Sequence, residues 1–156
     1  MKNNIGIATD KAAGLIKSLN ELLSNYQIYY QNLKAYHWNI KGRSFFELHP
    51  KFEELYTAAN MVVDELAERI LTLGGQPHFK FSDYIAGAKI KEATDISNPQ
   101  TTVTATIESI GTLLSLEREI LKVASEADDE GTAALISEDI KIQEKTVWML
   151  QAYLDN

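Results

Sequence analysis

The 156-residue sequence contains no cysteine. That excludes a disulfide framework and a thiolate metal site. Three prolines and eight glycines are too few to punctuate many short strands and turns. No apolar run approaches the roughly 20 residues of a membrane span. The opening MKNNIGIATDK lacks the apolar segment of a signal peptide. The expectation is a cytoplasmic protein with no membrane partner. Positive charge is scarce too: fifteen Lys and Arg stand against twenty-two Asp and Glu, for a net charge of −7. That balance argues against non-specific nucleic-acid binding and suits a surface that attracts cations. Histidine is scarcest of all. There are three, and two of them, His37 and His49, flank one Lys-Gly-Arg turn.

The apolar fraction, 45 %, is that of an ordinary globular chain. A chain of this length buries roughly 70 % of its unfolded surface, so one domain over residues 1–156 is expected. Leu15, Leu19, Leu22, Tyr26, Tyr29, Leu33, Tyr36 and Ile40 form a heptad-like seam. It predicts a long first helix, capped near Thr9 or Asp10 and stopping before Gly42. A second seam runs Leu48, Phe52, Leu55, Ala59, Val62, Leu66 and Leu73. Ser44-x-x-Glu47 reads as its capping box, and Gly74-Gly75-Gln76-Pro77 as its stop. Pro50 either lies in an early turn or bends this helix.

Residues 76–100 read as a long connection, with a short helix in SDYIAGAKI. A third seam follows at Val103, Ile107, Ile110, Leu114 and Leu121. The acidic break SEADDEG separates it from a fourth at Ala133, Ile136, Ile140, Val147, Leu150 and Leu154. Four amphipathic helices with one long link predict an all-α, ferritin-like four-helix bundle. Its long crossover joins helices two and three and carries the short extra helix.

A di-iron site inside such a bundle needs Glu-x-x-His on two helices. The residues three before the histidines are Lys34, Phe46 and Gly75, so that site is not expected. Asp64 and Glu68 are four apart and share a helix face. In the heptad of the second seam, Asp64, Glu68 and Glu53 fall on outer positions, whereas His49 there, and His37 on the first helix, fall at the margin of an apolar face. His49 and Asp64 lie fifteen residues apart, about 22 Å on one straight helix, while metal–ligand bonds are only ~2 Å. An isologous dimer could unite two histidines of one chain with two carboxylates of the other. Imidazole plus carboxylate with open positions suits Fe(II). Spacing alone leaves the plainer reading open as well: solvated carboxylates, hydrogen-bonded histidines, a packed Trp38 and an exposed, inert His78.

The run His37-Trp38-x-x-x-Gly42-x-x-Phe45-Phe46-x-Leu48-His49, followed by Asp64-Glu65-x-Ala67-Glu68-Arg69-x-x-x-x-Gly74-Gly75-x-Pro77, resembles the Dps family of mini-ferritins. The late Trp148 is similar too. The resemblance implies a homo-dodecameric shell with a ferroxidase centre at each two-fold interface. His37 and His49 would come from one subunit and Asp64 and Glu68 from its neighbour. Glu53 matches a further acidic ligand, usually aspartate in the family, and Trp38 matches a tryptophan beside the centre. The implied activity is oxidation of Fe(II), preferentially by hydrogen peroxide, with storage of Fe(III) mineral in the shell. Glu126, Asp128, Asp129 and Glu130 match a region that lines three-fold pores in relatives; an acidic cap on the fourth helix explains them equally. DNA binding is not expected, because neither end is a lysine-rich tail. Two other classes stand beside this reading: a shell that is structural or DNA-protecting without ferroxidase activity, and a four-helix binding module with no metal.

Overall fold

The computed structural model describes residues 1–155, which form five helices: α1 (Thr9–Asn39), α2 (Phe45–Thr72), α3 (Phe81–Gly87), α4 (Pro99–Glu126) and α5 (Glu130–Leu154). Among the described residues there is no strand, only an isolated bridge between Lys2 and Ala8. The four long helices make the expected bundle, and α3 rides on the crossover from α2 to α4. α1 packs against α2, α3 and α4, and α4 packs against α5. None of the described helices is long and apolar enough to cross a membrane.

The first seam is buried as its spacing requires: Leu15, Leu19, Leu22, Leu33 and Tyr36 are among the least exposed side chains. The third is not. Leu113 and Ile120 point inward with Val103 and Ile110, whereas Leu114 and Leu121 are only partly buried. The true inner face of α4 includes a buried Glu117, and an apolar pattern search passes over a carboxylate.

Two expected caps do not form. Ala8, not Thr9 or Asp10, precedes α1, and Ser44 makes no side-chain cap bond. Ser44 has ψ near 11°, outside the extended region that aims an N-cap hydroxyl at the helix amides. Backbone bonds from Phe45 N–H to Gly42 O and from Leu48 N–H to Ser44 O open α2 instead. Pro50 does not break it. α2 runs continuously from Phe45 to Thr72 with Pro50 inside. Its end is a glycine cap: Gly74 has φ of 91°, and the Gly75 amide bonds back to Ile70 O. Gly75 is needed for a second reason, since a Cβ there would lie 2.6 Å from Ile16.

The crossover is tied down by a polar stripe on α1. Asn20 binds the His78 amide and Gln76 O; Asn25 accepts the Lys89 and Ile90 amides; Asn32 bonds Ala93 N–H and Lys91 O. His78 is therefore half-buried rather than an exposed loop residue, with its ring 3.3 Å from the Ser24 hydroxyl.

The start of α5 is tied to the end of α2. The Arg69 guanidinium bonds Asp129 Oδ1 at 2.6 Å and Thr132 Oγ1 at 2.9 Å, while Asp129 caps α5 by accepting the Thr132 amide. Replacing Asp129 with Ala strands the guanidinium and removes the cap together. We expect a loss of about 3 kcal/mol, below the full value for a buried pair because Arg69 reaches solvent. Asp129→Asn, which keeps the cap, should cost less. Urea unfolding midpoints at fixed protein concentration measure the difference.

Candidate metal centre

Gly42, at φ of 109°, turns the chain between α1 and α2 and brings the last turn of one beside the first turns of the other. Tyr36 and Phe52 pack beneath the corner with ring centres 5.3 Å apart. His37 and His49 then meet face to face, with centroids 3.8 Å apart and planes 12° from parallel. Each ring bonds the other's main chain. His37 Nδ1 lies 2.6 Å from His49 O, and His49 Nδ1 lies 2.7 Å from His37 O.

A carbonyl oxygen can only accept, so both Nδ1 atoms must carry the proton. In the neutral ring this leaves each Nε2 with its lone pair, the form that ligates a metal. Neither Nε2 has a hydrogen-bond partner among the described residues. Phe45 stacks on His49 at 4.9 Å, and Tyr56 meets His37 edge-on at 5.4 Å. The pair is thus held in place on every side but one.

The carboxylates stand apart from the rings. Glu53 lies one turn beyond His49, exposed, 3.4 Å from the Tyr56 hydroxyl. Asp64 and Glu68 are exposed further along α2. Because α2 is unbroken, His49 and Asp64 are separated by about 22 Å of helix axis. Among the described residues no three His, Asp or Glu side chains converge as a metal-holding group. One chain therefore offers two separate half-sets of candidate ligands.

Trp38, adjacent to His37, is 62 % exposed, with Lys34 Nζ 5.9 Å from its ring centre. Trp148 is equally open at 66 %. Of the acidic residues at the α4–α5 junction, Glu126, Asp128 and Glu130 face solvent, whereas Asp129 is turned inward to Arg69. Sequence reasoning missed an interior polar cluster of Tyr26, Glu117, Asp139 and Gln143. The available signal was register: Glu117 falls between Leu113 and Ile120 on the buried face of α4.

A family model described as a ferritin-like domain matches residues 16–156. The DNA protection during starvation protein of Porphyromonas gingivalis is 40 % identical over 148 residues, which is 95 % of this chain and 93 % of that protein. Among solved structures, the DPS protein of Vibrio cholerae O1, described as a member of the ferritin-like diiron-carboxylate proteins, superposes with a TM-score of 0.97 at 49 % identity, covering 99 % of this chain and 97 % of that one. A Dps protein of Bacillus brevis superposes at 0.91 with 38 % identity, over 95 % and 99 % of the two chains. With its bundle, its crossover and its paired histidines, this chain belongs to the ferritin-like domain family, as one of the Dps mini-ferritins.

Proposed function

We propose that this protein oxidises Fe(II) at centres shared between subunits and stores the Fe(III) product as mineral inside a dodecameric shell in the cytoplasm. The observation that carries this reading is the reciprocal histidine pair, in which the hydrogen bonds of each ring expose the other nitrogen as a ligand. His37 and His49 of one subunit meet Asp64 and Glu68 of its two-fold neighbour, and Glu53 adds a further carboxylate beside the rings. Neutral imidazole and carboxylate hold Fe(II) at neutral pH and leave positions open for an oxidant. With hydrogen peroxide, two Fe(II) each give up one electron. The O–O bond breaks and two protons complete two waters. Trp38 stands next to the centre, where it can intercept stray one-electron oxidants. Asp129 is committed to Arg69, so cation attraction at the α4–α5 junction falls to Glu126, Asp128 and Glu130.

His37→Ala/His49→Ala protein, given Fe(II) and then peroxide, should lose at least about tenfold in oxidation rate followed by near-ultraviolet absorbance. The sharper test is complementation. Asp64→Asn/Glu68→Gln subunits should be as inactive as the histidine variant. Co-assembled from denaturant in equal amounts, the two dead variants rebuild one intact centre in every mixed dimer, restoring about a quarter of the wild-type centres. If the mixture stays as inactive as its parents, the centre is not shared between subunits.

The relatives' name refers to DNA protection. At −7 per subunit, the assembled shell lacks the cations that phosphate binding needs. Metal-free protein should therefore leave duplex DNA unretarded in a gel at physiological salt, and tight retardation would contradict the charge argument.

A further inference from the structure

Midway along the bundle, Glu117 of α4 is fully buried. Its Oε1 accepts from the Tyr26 hydroxyl of α1 at 3.0 Å and from Gln143 Nε2 of α5 at 2.7 Å. Gln143 Nε2 also bonds the Tyr26 hydroxyl. One turn earlier on α5, Asp139 is 6 % exposed. Three buried oxygens here have no hydrogen-bond partner: Glu117 Oε2, Asp139 Oδ2 and Gln143 Oε1. All three are acceptors, so no pairing among them is possible unless one gains a hydrogen.

The charges nearby do not resolve this. The groups facing the cluster are Tyr26 and Tyr29 from α1, Glu65 from α2, Arg118 from α4, and Glu138 beside Asp139 on α5. Arg118 is the single cation, and it is half exposed and paired with Glu144. A cavity of about 240 Å³ adjoins the cluster, lined by Tyr26, Tyr29, Glu65, Glu138, Asp139 and Gln143 together with apolar side chains, and no lysine or arginine lines it. Two carboxylates buried without a cation would carry a large desolvation cost. Protons remove it. A hydrogen on Glu117 Oε2 also turns an acceptor into a donor that can serve the other stranded oxygens, directly or through water in the cavity.

We propose that the Tyr26–Glu117–Gln143–Asp139 cluster is a proton-binding site, which locks α1, α4 and α5 together in its protonated form and loosens them when it ionises. Burial pushes the Glu117 carboxyl up to about 8, against the opposing pull of the Gln143 and Tyr26 hydrogen bonds. Burial, Glu65 and Glu138 push Asp139 up to about 7. Both folded values lie above the unfolded ones, so the folded chain holds the extra protons. Their stabilisation is complete below the ordinary carboxylate range and is lost as pH rises through about 7 to 8.

Glu117→Gln is the decisive variant because its amide mimics the protonated acid in shape and supplies a fixed donor. The assembled wild-type protein at neutral pH should show a protonated-carboxyl infrared band that Glu117→Gln weakens and alkaline pH removes. Melting temperatures compared at each pH should coincide for wild type and Glu117→Gln at or below the ordinary carboxylate range, with the variant's advantage growing as pH rises and levelling off above about pH 8. Carboxylate bands alone at neutral pH would overturn the proposal, as would a variant that melts lower at every pH. A divalent ion bound by Glu117 and Asp139 in a manganese-soaked crystal would put metal where we assign protons, and would overturn it too.

Discussion

The continuity of α2 is the constraint on which the rest of the structure depends. The helix carries His49 and Glu53 near its start and Asp64 and Glu68 near its end, and a rigid rod does not let them meet. Pro50 was the residue that could have folded the rod. It is the sixth residue of α2, past the first amides that lack helical partners, so it removes one internal hydrogen bond near the start without ending the helix. With the helix intact, no rearrangement within one subunit can bring Asp64 and Glu68 to the histidine pair. Under the proposed function a second copy is then part of the chemistry and not merely of the packaging.

The histidine pair shows how folding and ligand preparation become one event. His37 O belongs to the last turn of α1, where helix carbonyls lack internal partners, and His49 satisfies it. The corner between α1 and α2 is closed by the same two hydrogen bonds that set the proton on each ring. Each bond contributes about 1 kcal/mol to stability. Their larger effect is to remove rotamer and tautomer freedom from both rings, so little reorganisation would remain for the proposed metal binding. Phe45 and Tyr56 wall the pair and leave the ligand nitrogens as its remaining polar outlet.

The sequence made the bundle legible because its signals are periodic. Helix number, the long crossover, the short helix within it and the two-ended distribution of ligand residues all follow from spacings of three and four and from Gly74-Gly75-Gln76-Pro77. Legibility failed where a polar residue occupies an apolar register or a local motif competes with a tertiary bond. Glu117 interrupts the third seam and diverted the reading to Leu114 and Leu121. Ser44-x-x-Glu47 has the letters of a capping box, but Gly42 sets a turn that the box does not tolerate. Asn25 and Asn32 look like surface residues in isolation; their partners are crossover amides more than sixty residues away. Asp129 was grouped with its acidic neighbours because nothing local reveals the guanidinium of Arg69 across the bundle.

Successive residues of α2 divide the molecule into two chemical environments. Neighbouring side chains on a helix point about 100° apart. Asp64, Glu65 and Glu68 are all exposed, but of the three Glu65 alone borders the groove beside the interior polar cluster. At the α1–α2 corner, carbonyls bind the Nδ1 side of each histidine and leave Nε2 unpartnered, and Asp64 and Glu68 are exposed. Inside, carboxylates face other acceptors, with no imidazole among them. A cation entering that interior would find two acids and an amide oxygen but, under the protonation proposed above, would first have to displace their protons. The proposed iron site and the interior cluster thus differ in what each offers a cation: unpartnered ring nitrogens at the one, acids set among other acceptors at the other.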